Sequence, residues 1–236
     1  MTDISYPSLL ASLPVFSQLD SASINELWQE GRLIHYDKDS QVFRQEQSSD
    51  HFFVLLQGLI KVVRTMPNGS QLLVRFALPG DVIGIAPALR RRNYPATAIS
   101  VTTSAALAWP EKSWESLTQR FPCLLSAAQD TVARRLSDAD DRLLEIHSLE
   151  VEQRLAHSLL RLIRQVGQSG TEGTSLSIPV TRQDLADLAG TTLYTASRVV
   201  SSWDHQGLIL AGRKQITIAD LDKFARTVLE RGEASA

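Results

Sequence analysis

A single cysteine, Cys123, stands among the 236 residues. That excludes an intrachain disulfide, a four-thiolate zinc site and an iron–sulfur cluster held by cysteines. No apolar run approaches the roughly 18 residues of a spanning helix, and the opening MTDISYPSLLASLPVF lacks the basic region of a secretory signal. These absences predict a cytoplasmic chain with no membrane partner. An excess of positive charge is also missing: 24 Lys and Arg face 26 Asp and Glu, a net charge of −2. Nucleic acid favours a basic partner surface, so this balance opposes such a partner unless the charges are unevenly placed. They are: residues 1–150 hold 14 basic and 17 acidic side chains, residues 151–236 hold 10 and 9. Enzyme signatures are missing too. The chain has no Gly-x-Ser-x-Gly, P-loop or zincin spacing, and no His-x-His of the kind a metal-dependent roll enzyme uses. Neither an enzymatic activity nor a metal site is predicted.

What is present divides into three parts and predicts an α+β chain. Residues 1–31 read as short helical pieces, one interrupted by Pro14, the next with Ser23 as N-cap, Glu26 three residues on and Gly31 as stop. From Arg32 to Pro110 come short β-branched and aromatic runs such as RLIHY, HFFVLLQG and QLLVRFAL, broken by Gly58, Asn68-Gly69, Pro79-Gly80 and Gly84. Seven or so strands at that spacing predict an antiparallel roll or sandwich. The period then becomes helical. Leu125, Val132, Leu136, Ala139, Leu143 and Ile146 fall at steps of 7, 4, 3, 4 and 3, a heptad seam with Gln129 as its polar member. So narrow a stripe predicts a helix paired with its own copy in a homodimer; the alternative is a helix packed on its own β domain. Residues 148–150 read as a hinge, VEQRLAHSLLRLIRQV as a helix, and QSGTEGTS as an exposed loop.

The sharpest pattern is TRQDLADLAGTTLYTASRVVSSWDHQGLI. Thr181 with Asp184 makes a capping box, Gly190 ends that helix at a tight turn, and Thr192 caps a second. Ala196, Val199, Val200 and Trp203 line one face of the second helix, which leaves Tyr194, Ser197, Arg198 and Ser201 on the other. Two helices joined by a glycine turn, with small polar residues and an arginine outward, describe a helix-turn-helix. LILAGRKQITI then alternates around Gly212-Arg213-Lys214, a hairpin with a basic tip, and completes a winged helix. A plain α+β subdomain with a solvated turn would share the elements but not the outward Ser-Arg pair. Double-stranded DNA is the predicted partner.

These blocks, together with QVFRQEQSSDHFFVLLQGLIKVVR and LPGDVIG, resemble the CRP/FNR family of bacterial transcription regulators over nearly the whole chain. The resemblance implies a cyclic-nucleotide-binding-type, jelly-roll-like sensor over 1–118 with an N-terminal helical cap. It further implies a dimerisation helix over 119–147 and a winged helix-turn-helix over 150–236 that binds palindromic promoter sites, with RNA polymerase as a further partner. By similarity Arg198 reads guanine, for which a bidentate bond to O6 and N7 is the physical reason. Ser197 and Tyr194 join it at base edges. Tyr194 stands where many relatives have glutamate and Leu193 where the CRP branch has arginine, so the adjacent position of the DNA site is expected to differ. Thr181, Thr192, Ser201, Arg213 and Lys214 are the backbone-contact set, which adds affinity and salt dependence.

The resemblance also bears on the effector. Cyclic-AMP-binding relatives offer a glutamate to the ribose and an Arg-Ser pair to the cyclic phosphate; here Ile85 and Tyr94-Pro95 occupy those places. Each change removes a polar group that a buried phosphate needs, so cyclic AMP in the usual mode is not expected. Arg90, Arg91 and Arg92 could face another anion, although consecutive loop residues diverge and a solvated run is the plainer reading. With Ile85 and Tyr94 they make the candidate effector set. Haem would need an axial ligand such as His35 or His51, and the second reads as a turn or strand-edge imidazole. Cys123 follows Pro122 at a helix start, where the thiol is either activated or simply packed. The effector is left unidentified. The competing function is a small-molecule or haem-binding sensor or interaction module whose DNA binding is secondary.

Overall fold

The computed structural model describes residues 6–89, 91–212 and 214–229, so Arg90 and Arg213 lie outside the described residues. The chain forms two compact units, residues 1–136 and 137–236. In the first, α1 (Tyr6–Ser12) and α2 (Ser21–Glu30) precede β1 (Arg32–Tyr36), β2 (Gln41–Phe43), β3 (His51–Gln57), β4 (Ile60–Thr65), β5 (Gln71–Ala77), β6 (Val82–Ile83), β7 (Thr97–Ser100) and β8 (Ser104–Pro110). The strands make two four-stranded antiparallel sheets, β1-β8-β3-β6 and β2-β7-β4-β5. The antiparallel β architecture expected from the sequence is the one observed.

Strand alternation explains why β3 is apolar on both faces. Phe52, Val54 and Leu56 enter a core shared with the helices, where Leu10, Phe16 and Leu27 also lie. Phe53 and Leu55 enter the roll interior with Phe43, Ile60 and Tyr94. Strand β8 divides in the same way, Leu107 and Trp109 on the helical side, Ala106 and Ala108 inside the roll. Trp109 also donates its indole N–H to the carbonyl of Leu27 at 3.1 Å, which ties α2 to that sheet.

One cap differs from expectation. Asp20, not Ser23, is the N-cap of α2, and its carboxylate accepts the Ser23 N–H at 2.8 Å. That bond holds the Asp20 carboxyl below its ordinary range. A serine two residues inside the helix cannot reach back to a free N–H, whereas Asp20 sits in extended backbone just outside it.

After α3 (Trp114–Arg120), the long helix α4 (Pro122–Ser148) crosses the division between the units at Leu136/Ser137 and ends just before residues 149–150, where the helix is broken. In the first unit Leu124, Ala128 and Thr131 of α4 are buried, while Val132 packs partly on the helical core. Leu125, Leu136, Leu143 and Ile146 are exposed, as is Ala139. Five of the six seam residues are therefore open to solvent in the single chain, Val132 being the exception.

The second unit continues with α5 (Val151–Val166), β9 (Gly167–Gly170), β10 (Gly173–Leu176), α6 (Arg182–Ala189), α7 (Leu193–His205), β11 (Ile209–Gly212), β12 (Gln215–Ile218) and α8 (Leu221–Leu229). The stretch expected as an exposed loop is the β9–β10 hairpin, which joins the wing strands in the order β11-β12-β10-β9. Every residue of β9 is exposed. With no buried face the strand has no apolar alternation, and backbone pairing alone defines it.

Candidate nucleic-acid interface

Local side-chain chemistry builds the helix-turn-helix. The Thr181 hydroxyl accepts the Asp184 N–H at 3.1 Å, and the Asp184 carboxylate accepts the Thr181 N–H at 2.8 Å, the reciprocal capping box expected for α6. Gly190 closes α6 with φ 62° and ψ 47°, a left-handed conformation that costs glycine little. Thr192 caps α7 by accepting the Thr195 N–H at 3.2 Å. Both threonine hydroxyls are thus engaged within the chain, Thr181 also donating to Asp184 at 2.7 Å. Their remaining capacity toward an outside phosphate is small.

The inner face of α7 carries Ala196, Val200 and Trp203, all buried. Trp203 packs edge-on against Phe224 with ring centroids 5.0 Å apart, and its indole N–H donates to Glu152 at 2.7 Å. This anchoring fixes which residues face out. Tyr194 is 78% exposed, a high value for an aromatic side chain, and Leu193 is 47% exposed. Arg198 is exposed and Ser197 half-buried. Among the described residues no carboxylate pairs with Arg198. Ser201 is half-buried and accepts from Arg182 at 3.1 Å. Arg182, at the first position of α6, is a cation beside this face that sequence reading passed over; its location next to the Thr181 cap was the available signal. At the wing tip, Lys214 is exposed and takes φ 61°.

In the first unit the candidate effector set is divided. Ile85 is buried in the helical-side core and Tyr94 in the roll interior. Tyr94 is a structural peg: its hydroxyl donates to the His51 carbonyl at 2.6 Å and accepts the His51 N–H at 3.1 Å, while its ring stacks on Phe43 at 4.1 Å. Burial raises its pKa and pushes that of Tyr36 up to about 12. Arg91 and Arg92 are exposed. A cleft of about 460 Å³ in this unit is lined by other residues, among them Val15, Gly80, Asp81, Cys123 and Arg134. Asp81 pairs there with Arg75 and Arg134, each at 3.3 Å. Nearby Arg135 has its pKa lowered to about 10 by burial and by Arg75. Burial also raises the Cys123 thiol, so the packed reading of that residue holds and the activated one does not. His35 and His51 are exposed strand residues; the first meets the Tyr6 ring edge-on at 5.4 Å, the second lies 6.2 Å from Phe53. No helix among the described residues is long and apolar enough to cross a membrane.

Comparison with known proteins agrees with this architecture. Residues 33–121 match the cyclic nucleotide-binding domain family and residues 153–227 the Crp-like helix-turn-helix domain family. The nitrogen fixation regulation protein FixK of Bradyrhizobium diazoefficiens is 30% identical over 210 residues, covering 87% of this chain and 86% of its own. The transcriptional activatory protein AadR of Rhodopseudomonas palustris is 26% identical over 216 residues, 90% of this chain and 87% of its own. Among solved structures, the c-di-GMP responsive global regulator CLP of Xanthomonas campestris has a TM-score of 0.73 at 20% identity, over 85% of this chain and 100% of that one. FixK2 from Bradyrhizobium japonicum has a TM-score of 0.70 at 21% identity, over 83% and 96%. A roll, a long helix and an anchored helix-turn-helix in this order, with a relative aligned along most of both chains, place the protein in the CRP/FNR family of DNA-binding transcription regulators.

Proposed function

We propose that the protein acts in the cytoplasm as a homodimer that reads palindromic promoter DNA, one α7 helix in each of two successive major grooves. The observation that carries this is the outward face of α7: Tyr194, Ser197 and Arg198 are held away from a buried Ala196, Val200 and Trp203. Arg198 bonds guanine O6 and N7, and Ser197 and Tyr194 reach neighbouring base edges. A phenol cannot accept strongly from cytosine N4 as a carboxylate does, so the position beside that guanine differs from that of glutamate-bearing relatives. Lys214 and Arg213 at the wing, with Ser201, meet phosphates. Thr181 and Thr192 act there through the backbone N–H groups of the helix starts they shape, because their hydroxyls are engaged in caps.

Two copies pair along Leu125, Val132, Leu136, Ala139, Leu143 and Ile146 of α4, which sets the reading helices about 34 Å apart. The sensor responds to something other than cyclic AMP held in the usual mode, because Ile85 and Tyr94 fill core positions where a nucleotide would need polar groups. RNA polymerase is the downstream partner.

Selection of duplexes from a random pool, followed by mobility shift at graded salt, tests this reading. The expected product is a two-fold-symmetric site bound more weakly as salt rises. Absence of any sequence preference at every salt concentration rejects it.

A further inference from the structure

The last turns of α4 are bound into the reading head by contacts that neither capping nor periodicity requires. Arg161 of α5 grips Glu145 of α4 with both terminal nitrogens, one to each carboxylate oxygen, the Nη2 contact at 3.1 Å. The pair is largely withdrawn from water, with side-chain exposures of 19% and 11%. Arg161 also donates to Ser158 at 3.3 Å.

A second arginine works from the same helix. Arg154 donates to the carbonyl of Leu149 at 2.9 Å and to that of Ala189, at the end of α6, at 3.1 Å. One side chain thereby joins the α4–α5 connection to the helix-turn-helix. Beside Glu145, Ile146 lies against the Gly190 turn: a Cβ added to Gly190 would stand 3.3 Å from its Cδ1. Residues 145–149 are therefore fastened to α5 by a fork, to α6 through an arginine, and to the Gly190 turn by a methyl group.

We propose that Glu145 and Arg161 are positioning residues that join the end of α4 rigidly to the reading head, so that this pair sets the half-site spacing the dimer accepts. A bidentate guanidinium–carboxylate contact fixes both distance and plane. Replacing it with an apolar pair of the same volume could match its contribution to stability but would not fix the angle. The angle matters because one added base pair moves a half-site by about 3.4 Å and turns it by about 34°. A reading head free to swing over that range accepts neighbouring spacings; a rigid one rejects them. The proposal rests on the dimeric reading above, since spacing has meaning only with two reading heads.

The test uses the full chain and duplexes carrying the selected palindrome at its selected spacing, and one base pair longer or shorter, together with a single half-site. Wild type is expected to favour the selected spacing at least tenfold. Glu145→Gln is expected to reduce that preference below threefold while its affinity for the single half-site stays within twofold. The exchange Glu145→Arg/Arg161→Glu is expected to recover part of the preference. A Glu145→Gln protein that retains tenfold spacing preference overturns the proposal. So does one that loses half-site binding, because the pair would then be a folding element and not a positioning one. Wild type that ignores spacing altogether rejects the dimeric reading itself, a result distinguishable from failure of the clasp alone.

Discussion

Replacing Leu143 by alanine should loosen the dimer by about a hundredfold. Leu143 is 58% exposed in the single chain, on the seam face of α4. Removing three carbons from a side chain that becomes buried costs about 2.4 kcal/mol at roughly 0.8 kcal/mol per methylene. Scaled by the fraction newly buried, that is about 1.4 kcal/mol per protomer, and about 2.8 kcal/mol for a two-fold interface that buries the residue twice. At about 1.4 kcal/mol per factor of ten, the dimer dissociation constant rises about a hundredfold. Sedimentation equilibrium across protein concentration measures it directly. Leu144 supplies the control: at 67% exposed it is even more open, but it lies off the heptad seam, and Leu144→Ala should leave the constant within threefold. Equal weakening by both changes, or by neither, refutes the parallel seam as the contact.

Three further outcomes follow from the geometry. Tyr94→Phe removes the hydroxyl that bonds both backbone groups of His51 and should lower the stability of the roll by about 1–3 kcal/mol in chemical denaturation, the loss of two part-buried hydrogen bonds. Gly190→Ala imposes a left-handed conformation on alanine and presses its Cβ toward Ile146, so a loss of about 1–2 kcal/mol is expected in thermal melting of the second unit. Cys123 has its pKa raised by burial, so the thiolate is scarce near neutrality; alkylation at pH 8 should be slower than for a free thiol, and its rate should level off at a higher pH than a free thiol's. Stability linked to that thiol is present below its unfolded pKa and is lost as pH rises through the higher folded one.

The parts of the molecule legible in the sequence were those whose causes are local. Thr181 and Asp184 lie three residues apart and satisfy each other's backbone, so the cap could be read from spacing alone, as could the Gly190 turn and the inward face of α7. The periodic stripe on α4 could be read because a heptad is a one-dimensional pattern, and five of its six residues are exposed in the single chain; what covers them is the proposal that Leu143→Ala tests. The β9–β10 hairpin was missed because an exposed strand of Gly, Gln and Ser carries no alternation. The Asp20 cap was missed because three candidate acceptors, Asp20, Ser21 and Ser23, lie within four positions and only the backbone conformation separates them. Tyr94 could be seen as a departure from a phosphate-binding residue, but its attachment to His51 crosses 43 positions and required the fold. The Glu145–Arg161 fork spans 16 positions between two helices and left no periodic trace.

Selection of bound duplexes by wild type and by Arg198→Ala under identical salt asks whether the outward face of α7 reads DNA through Arg198. The expected result is a palindromic site with a guanine in each half, and loss of preference at that one base pair in the variant, at a cost of about 1–3 kcal/mol per half-site. An unchanged selected site, or a uniform weakening across all sequences, would contradict it.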